Sequence, residues 1–156
     1  MAISANKTKF YYSNEEDFNE IKLLMEVPEM GGSVEKIDVT TLSDPSKRYI
    51  PGIKDYGDLV FKFLYENEDE DSNYRVLKNM EDEAAEDSDF KPAKFLLVYP
   101  DKSAHAFDAI PSIKIDSGAI NGALTFSATM MLQSDIESTD PEEFGRYTFK
   151  DEETEV

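Results

Sequence analysis

The chain has 156 residues, 40% of them hydrophobic, with 10 Phe and 8 Tyr, enough for one domain with its own core and too little for two. It has no cysteine, which excludes disulfides and thiol catalysis and fits a protein made in a reducing cytosol. A formal charge of −18 excludes binding DNA by neutralising its phosphates, because that requires a basic patch.

The charge is unevenly placed. Residues 66–90 hold 11 acids and 2 bases, and residues 134–156 hold 9 acids and 2 bases, while the rest of the chain is nearly balanced. Met1–Phe10 lacks the apolar core of a signal peptide. The longest apolar run, Phe95–Tyr99, is far below the roughly 20 residues that span a bilayer, so no membrane anchoring is expected. No repeat of 20–50 residues is present, which argues against solenoids and propellers.

In chain order, Phe10–Tyr12 and Phe18–Leu24 read as strands around an acidic turn, Ser13–Asp17. Ile37 and Val39 alternate with Lys36, Asp38 and Thr40 as a third strand. Residues 43–57 then read as a long connection with Pro45, Pro51, Gly52 and Gly57, yet it carries Tyr49, Ile50, Ile53 and Tyr56. Loops are usually shorter and more polar. These side chains need cover, either from the same domain or from a partner. Lys47, Arg48 and Lys54 against Asp44 and Asp55 make the segment slightly basic on an acidic protein.

Leu59, Phe61, Phe63 and Tyr65 alternate as the next strand. Ser72–Ala85 has Tyr74, Leu77 and Met80 at spacings of three, Val76 beside them and no Pro or Gly, which predicts an amphipathic helix capped by Ser72 or Asn73. Residues 94–99 and 104–110 form an expected hairpin around Pro100–Lys102, and Ile113 and Ile115 open a further strand ending near Ser117-Gly118. Asn121-Gly122 turns the chain into a final strand with Leu124, Phe126, Ala128, Met130 and Leu132 on one face. The pattern predicts a mainly β domain over 1–134 with one helix packed on the sheet. An acidic extension over 135–156 follows, in which Phe144–Phe149 dock and the end is mobile.

Chemistry finds little to use. His105 is the only histidine, in a strand-like stretch with no nucleophile motif, and zinc would have one nitrogen ligand and no thiolate. Asp69, Asp71 and Asn73 match the first alternating positions of a calcium loop. Tyr74 then stands where Gly is required and Met80 where the bidentate Glu is required. Paired carboxylates have no specificity in so acidic a chain, and the glycine-rich phosphate-binding motifs are missing. The expectation is no catalytic, cofactor or metal site and no enzyme.

Three passages in order carry a resemblance: Val34-Glu-Lys-Ile-Asp-Val-Thr-Thr-Leu-Ser-Asp44, Lys47-Arg-Tyr-Ile-Pro-Gly-Ile53 and Asp55-Tyr-Gly-Asp-Leu-Val-Phe-Lys-Phe63. Phe95-Leu-Leu-Val-Tyr-Pro-Asp101 and the long last strand extend it over roughly residues 7–136. Together they resemble the major tail tube proteins of long-tailed bacteriophages, in particular the siphophage tubes related to the lambda major tail protein. The acidic stretch near 81–90 and the acidic C-terminus depart from that pattern.

The resemblance implies a β-sandwich or barrel with one flanking helix, in a virion tail component made in the host cytoplasm. It implies six copies per ring and stacked rings whose inner barrel conducts DNA during ejection without binding it specifically. It also implies tape measure, tail tip and tail terminator partners. The long loop would make the contacts between copies, through Arg48, Tyr49, Ile50, Pro51, Ile53 and Tyr56. Deleting 45–54 should then leave a folded monomer that cannot polymerise. An acidic wall would repel DNA phosphates. Two rival readings stand beside this one: a tube subunit of a contractile tail, tailocin or secretion-type machine, and a monomeric acidic β-sandwich that binds carbohydrate or a host protein.

Overall fold

Period-two alternation puts Leu59, Phe61 and Phe63 on one face of their strand and Phe126, Ala128 and Met130 on one face of theirs. All six are buried in the computed structural model, which describes residues 2–13, 17–89 and 91–149. The strands are β1 (Lys9–Ser13), β2 (Phe18–Ile21), β3 (Leu24–Glu26), β4 (Ser33–Asp38), β5 (Tyr49–Asp55), β6 (Leu59–Leu64), β7 (Ala93–Val98), β8 (Ala104–Ile115), β9 (Thr125–Leu132) and β10 (Glu137–Thr139). One helix, α1 (Asn73–Glu86), lies between β6 and β7, and a 3-10 helix (Pro141–Arg146) follows β10.

The main ladder runs β2-β1-β7-β8-β9-β6-β3, antiparallel throughout, with β10 also on β8. β2 and β3 stand at opposite ends of this order, yet only Lys22 and Leu23 separate them in the chain. Two linking residues reach about 10 Å, so the ladder must curl until its ends meet. Leu23, at φ 67°, makes that corner. β8 makes the opposite corner, giving Ala104–Ala109 to β7 and Ala109–Ile115 to β9.

The result is two facing layers, β2-β1-β7-β8 and β3-β6-β9-β8, with an aromatic core between them. Phe10 of the first layer stacks on Phe61 of the second with ring centroids 4.3 Å apart, and Phe95 and Phe107 complete the cluster. α1 closes one side, with Leu77 buried and Tyr74 and Met80 partly buried against this core.

The sequence reading needs three adjustments here. Phe18–Leu24 is two strands with different partners, because the chain turns at Leu23. Residues 104–115 are one continuous strand rather than two, since both layers share it. The expected docking of Phe144–Phe149 is seen, preceded by the short strand β10 on β8. Phe144, Tyr147 and Phe149 pack on Phe18, Leu96, Val98, Ala104 and Ala106, covering the outer face of the first layer. The long connection over 43–57 is half strand, as described below. Most of the acidic turn expected between β1 and β2, and residues 150–156, lie outside the described residues.

Candidate subunit-contact site

β4 and β5 form a two-stranded ribbon of their own, joined to neither layer by strand pairing. Its register pairs Ile37 with Ile50, Lys36 with Pro51 and Asp38 with Tyr49, with a bulge between Val34 and Lys36. The expected loop over 43–57 is therefore a strand from Tyr49 to Asp55. Pro51 is tolerated because the ribbon's outer edge asks nothing of its missing N–H. A tight turn precedes it. Thr41 N–H donates to Asp44 Oδ2 at 2.8 Å, Arg48 N–H donates to Thr40 Oγ1 at 2.8 Å, and Arg48 faces Asp44 at 3.6 Å.

The root of the ribbon is fixed by Gly32. Its φ of +119° disfavours any side chain, and a Cβ there would meet the Asp55 carbonyl oxygen at 2.6 Å. Tyr56 sits at this root, half-buried, and with Glu29, Met30, Gly32 and Ser33 lines an open cleft.

Nearly every residue of the ribbon is exposed. Ile37 and Ile50 pair on one face and Tyr49 lies on the other, while Ile53, 88% exposed, sits at the bulge. Lys36 lies 5.5 Å over the Tyr49 ring. The structure therefore brings Arg48, Tyr49, Ile50, Pro51 and Ile53 together on the projecting arm and leaves Tyr56 at its base. Sequence reasoning missed Val34, Ile37 and the fully exposed Leu42. The alternation around Ile37 did signal one apolar face. What it could not signal is how far the described residues leave that face exposed.

The other candidate groups are committed locally. His105 Nδ1 lies 3.1 Å from Ser138 Oγ across the β8–β10 pair, the ring edge meets Tyr99, and burial lowers the ring's pKa. Asp69 Oδ1 accepts from the Asp71 N–H at 3.0 Å. Ser72 Oγ accepts from the Glu68 and Asp69 N–H groups at 2.9 and 3.0 Å, bracing the turn before α1 instead of the helix itself. Asn73 points inward, its Nδ2 donating to the Lys22 and Leu64 carbonyls at 2.8 and 2.9 Å. Among the described residues no cluster of three His, Cys, Asp or Glu could hold a metal ion, and no helix is long and apolar enough to cross a membrane.

The family described as phage tail tube protein, TTP, matches residues 12–140, a span from β1 to beyond β10. The chain belongs to this family. It is a structural subunit of a phage tail tube. No curated protein matches the chain by sequence. Solved structures share the fold at low identity. The sheath-tube complex of the extracellular contractile injection system PVC in its extended state aligns with a TM-score of 0.67 at 11% identity, covering 88% of this chain and 91% of that one. The baseplate of the anti-feeding prophage aligns with a TM-score of 0.65 at 12% identity over 91% and 99%. The virion of a native gene transfer agent aligns with a TM-score of 0.61 at 16% identity over 89% and 100%. The ribbon is thus an arm of a tail tube subunit.

Proposed function

We propose that this tail tube subunit assembles as six-membered rings that stack into a conduit for DNA, with the β4–β5 ribbon as the joint between copies and no catalytic turnover. The observation that carries this reading is the ribbon itself. Two isolated strands are marginal in water, and this pair exposes aliphatic and aromatic side chains on both faces. A second copy supplies the missing cover. The baseplate structure that shares this fold is six-fold symmetrised, which supports the ring size. The same tail context supplies tape measure, tip and terminator partners, with assembly in the host cytoplasm.

The second layer is the wall that would face the bore. Its inner face is the core, and its outer face is open. That face carries Val60, Ser112 and Thr129 in one cross-strand row and Lys62, Ser127 and Lys114 in the next. On this reading the wall carries hydroxyls, two lysines and Asp116, which accepts from Thr125 Oγ1 at 2.9 Å and from Ser127 Oγ at 3.1 Å. The acids concentrated on residues 66–89 lie on and before α1, away from this face.

Deleting 45–54 would strip β4 of its partner and confuse unfolding with lost contact. The cleaner test is Ile50→Asp with Ile53→Asp, two exposed aliphatic side chains of β5. The variant is expected to keep the parent's circular dichroism and melting temperature within about 0.5 kcal/mol of stability, as surface changes do. It is expected to form no tubes by negative-stain microscopy under conditions where the parent does. Normal tubes from the folded double variant would refute the joint.

A further inference from the structure

The β8–β9 ladder shows where the second layer ends. Asp116 N–H donates to the Thr125 carbonyl and Gln133 N–H to the Asp108 carbonyl, so the even-numbered residues of β8 turn their main-chain groups toward β9. Pro111, Ile113 and Ile115 therefore turn theirs the other way. β7 covers that side only as far as Ala93 opposite Ala109. Beyond Ala109 no strand lies beside β8 on this side among the described residues.

Such an edge is a template for another strand. This one is guarded at two points. Pro111 has no N–H to offer. The Ile113 N–H is held by Glu81 Oε2 of α1 at 2.5 Å, and Glu81 Oε1 is held in turn by Lys78 Nζ at 2.9 Å. Burial pushes the Glu81 carboxyl up, but Lys78 and the Ile113 N–H outweigh it and leave the group below its usual value. The carboxylate is thus a charged acceptor for an outward-facing donor of that edge.

The other end of the same layer is β3, which pairs only with β6. Successive antiparallel steps from β8 through β9 and β6 make β3 antiparallel to β8. Copies related by rotation about an axis near the strand direction would bring β3 of one beside β8 of the next, head to tail, in antiparallel sense. This is the arrangement that closes a ring.

We propose that Glu81 is a latch on the β8 edge. While it holds the Ile113 N–H the edge cannot pair, and the β3 strand of an arriving second copy displaces it. The latch rests on the assembly reading above for its purpose but not for its existence. In the isolated monomer the Ile113 amide is expected to exchange with solvent markedly more slowly than the Ile115 amide, the next outward donor on the same edge. In Glu81→Ala it should exchange about tenfold faster, the loss of one charge-assisted hydrogen bond. Glu81→Gln, which keeps an acceptor, should stay near the parent.

Light scattering is then expected to show a shorter assembly lag for Glu81→Ala and a lag near the parent's for Glu81→Gln. Equal exchange at Ile113 and Ile115 in the parent would overturn the latch whether or not any variant folds. A fast-exchanging, folded Glu81→Ala that assembles with an unchanged or longer lag would overturn its role in assembly. A parent chain that never assembles would instead overturn the ring reading and leave the exchange result to judge the local contact alone.

Discussion

Asn73 ties three parts of the fold together from one buried position. It is 3% exposed, and its amide donates to the carbonyl before the β2–β3 corner and to the carbonyl ending β6 while its own oxygen accepts from Tyr74 N–H. The corner it steadies contains Leu23 at positive φ, a conformation that costs a non-glycine residue about 1 kcal/mol. Replacing Asn73 by Ala takes this donor from two carbonyls at a part-buried site. Each costs about 1–3 kcal/mol when fully buried, and partial access of water lowers the sum, so the variant is expected to lose about 2–4 kcal/mol. Chemical denaturation should show a lower midpoint with an unchanged slope. A midpoint within error of the parent would mean that water reaches both carbonyls. Sequence reading named Asn73 as a helix cap or a calcium ligand, since its type suits both. Its actual partners are 51 and 9 residues away in the chain, beyond what a local pattern can show.

At the scale of elements, the alternating strands were legible wherever both the period and the burial lay within this chain. β6, β7 and β9 are the examples, each with an aromatic or aliphatic face turned to the core. The helix was legible too, at Asn73–Glu86 against an expected 72–85, because its apolar stripe packs on the sheet. β5 was not legible: it contains Pro51 and Gly52, which read as loop punctuation, and only its pairing with β4 makes it a strand. In the acidic C-terminal segment the aromatic anchors of Phe144–Phe149 were legible, and the short strand β10 was not. Phe144, Tyr147 and Phe149 close over five apolar residues, Tyr147 Oη meets Thr139 Oγ1 at 2.7 Å, and Arg146 pairs with Glu137. A chain ending at Asp135 would also lose β10 from β8. It is expected to expose Phe18, Leu96 and Val98, to bind a dye such as ANS, and to aggregate at concentrations where the full chain stays monodisperse. An unchanged melting temperature and no dye binding would show that the segment merely rests on the sheet.

For the whole molecule, two forces compete when copies meet. Each carries a formal charge of −18, so association must overcome like-charge repulsion that acts over a Debye length, about 10 Å at 0.1 M salt. The attraction has two candidate sources. One is ionic, with Arg48, Lys47 and Lys54 of the basic arm meeting acids of the next copy. The other is apolar, with Ile37, Ile50, Ile53 and Tyr49 leaving water together. The geometry favours the second. Arg48 already faces Asp44 of its own turn, and Lys36 and Lys54 lie over Tyr49 and Tyr56, whereas the aliphatic side chains have no cover. Salt separates the two. It screens repulsion and ion pairs alike but leaves apolar burial intact or strengthens it. Raising sodium chloride from about 0.05 M to about 0.5 M is therefore expected to lower the concentration at which tubes form, measured by sedimentation of assembled material. Ionic docking would give the opposite trend, with tubes dissolving as salt rises, and that outcome would move the joint from the aliphatic faces of the arm to its charges.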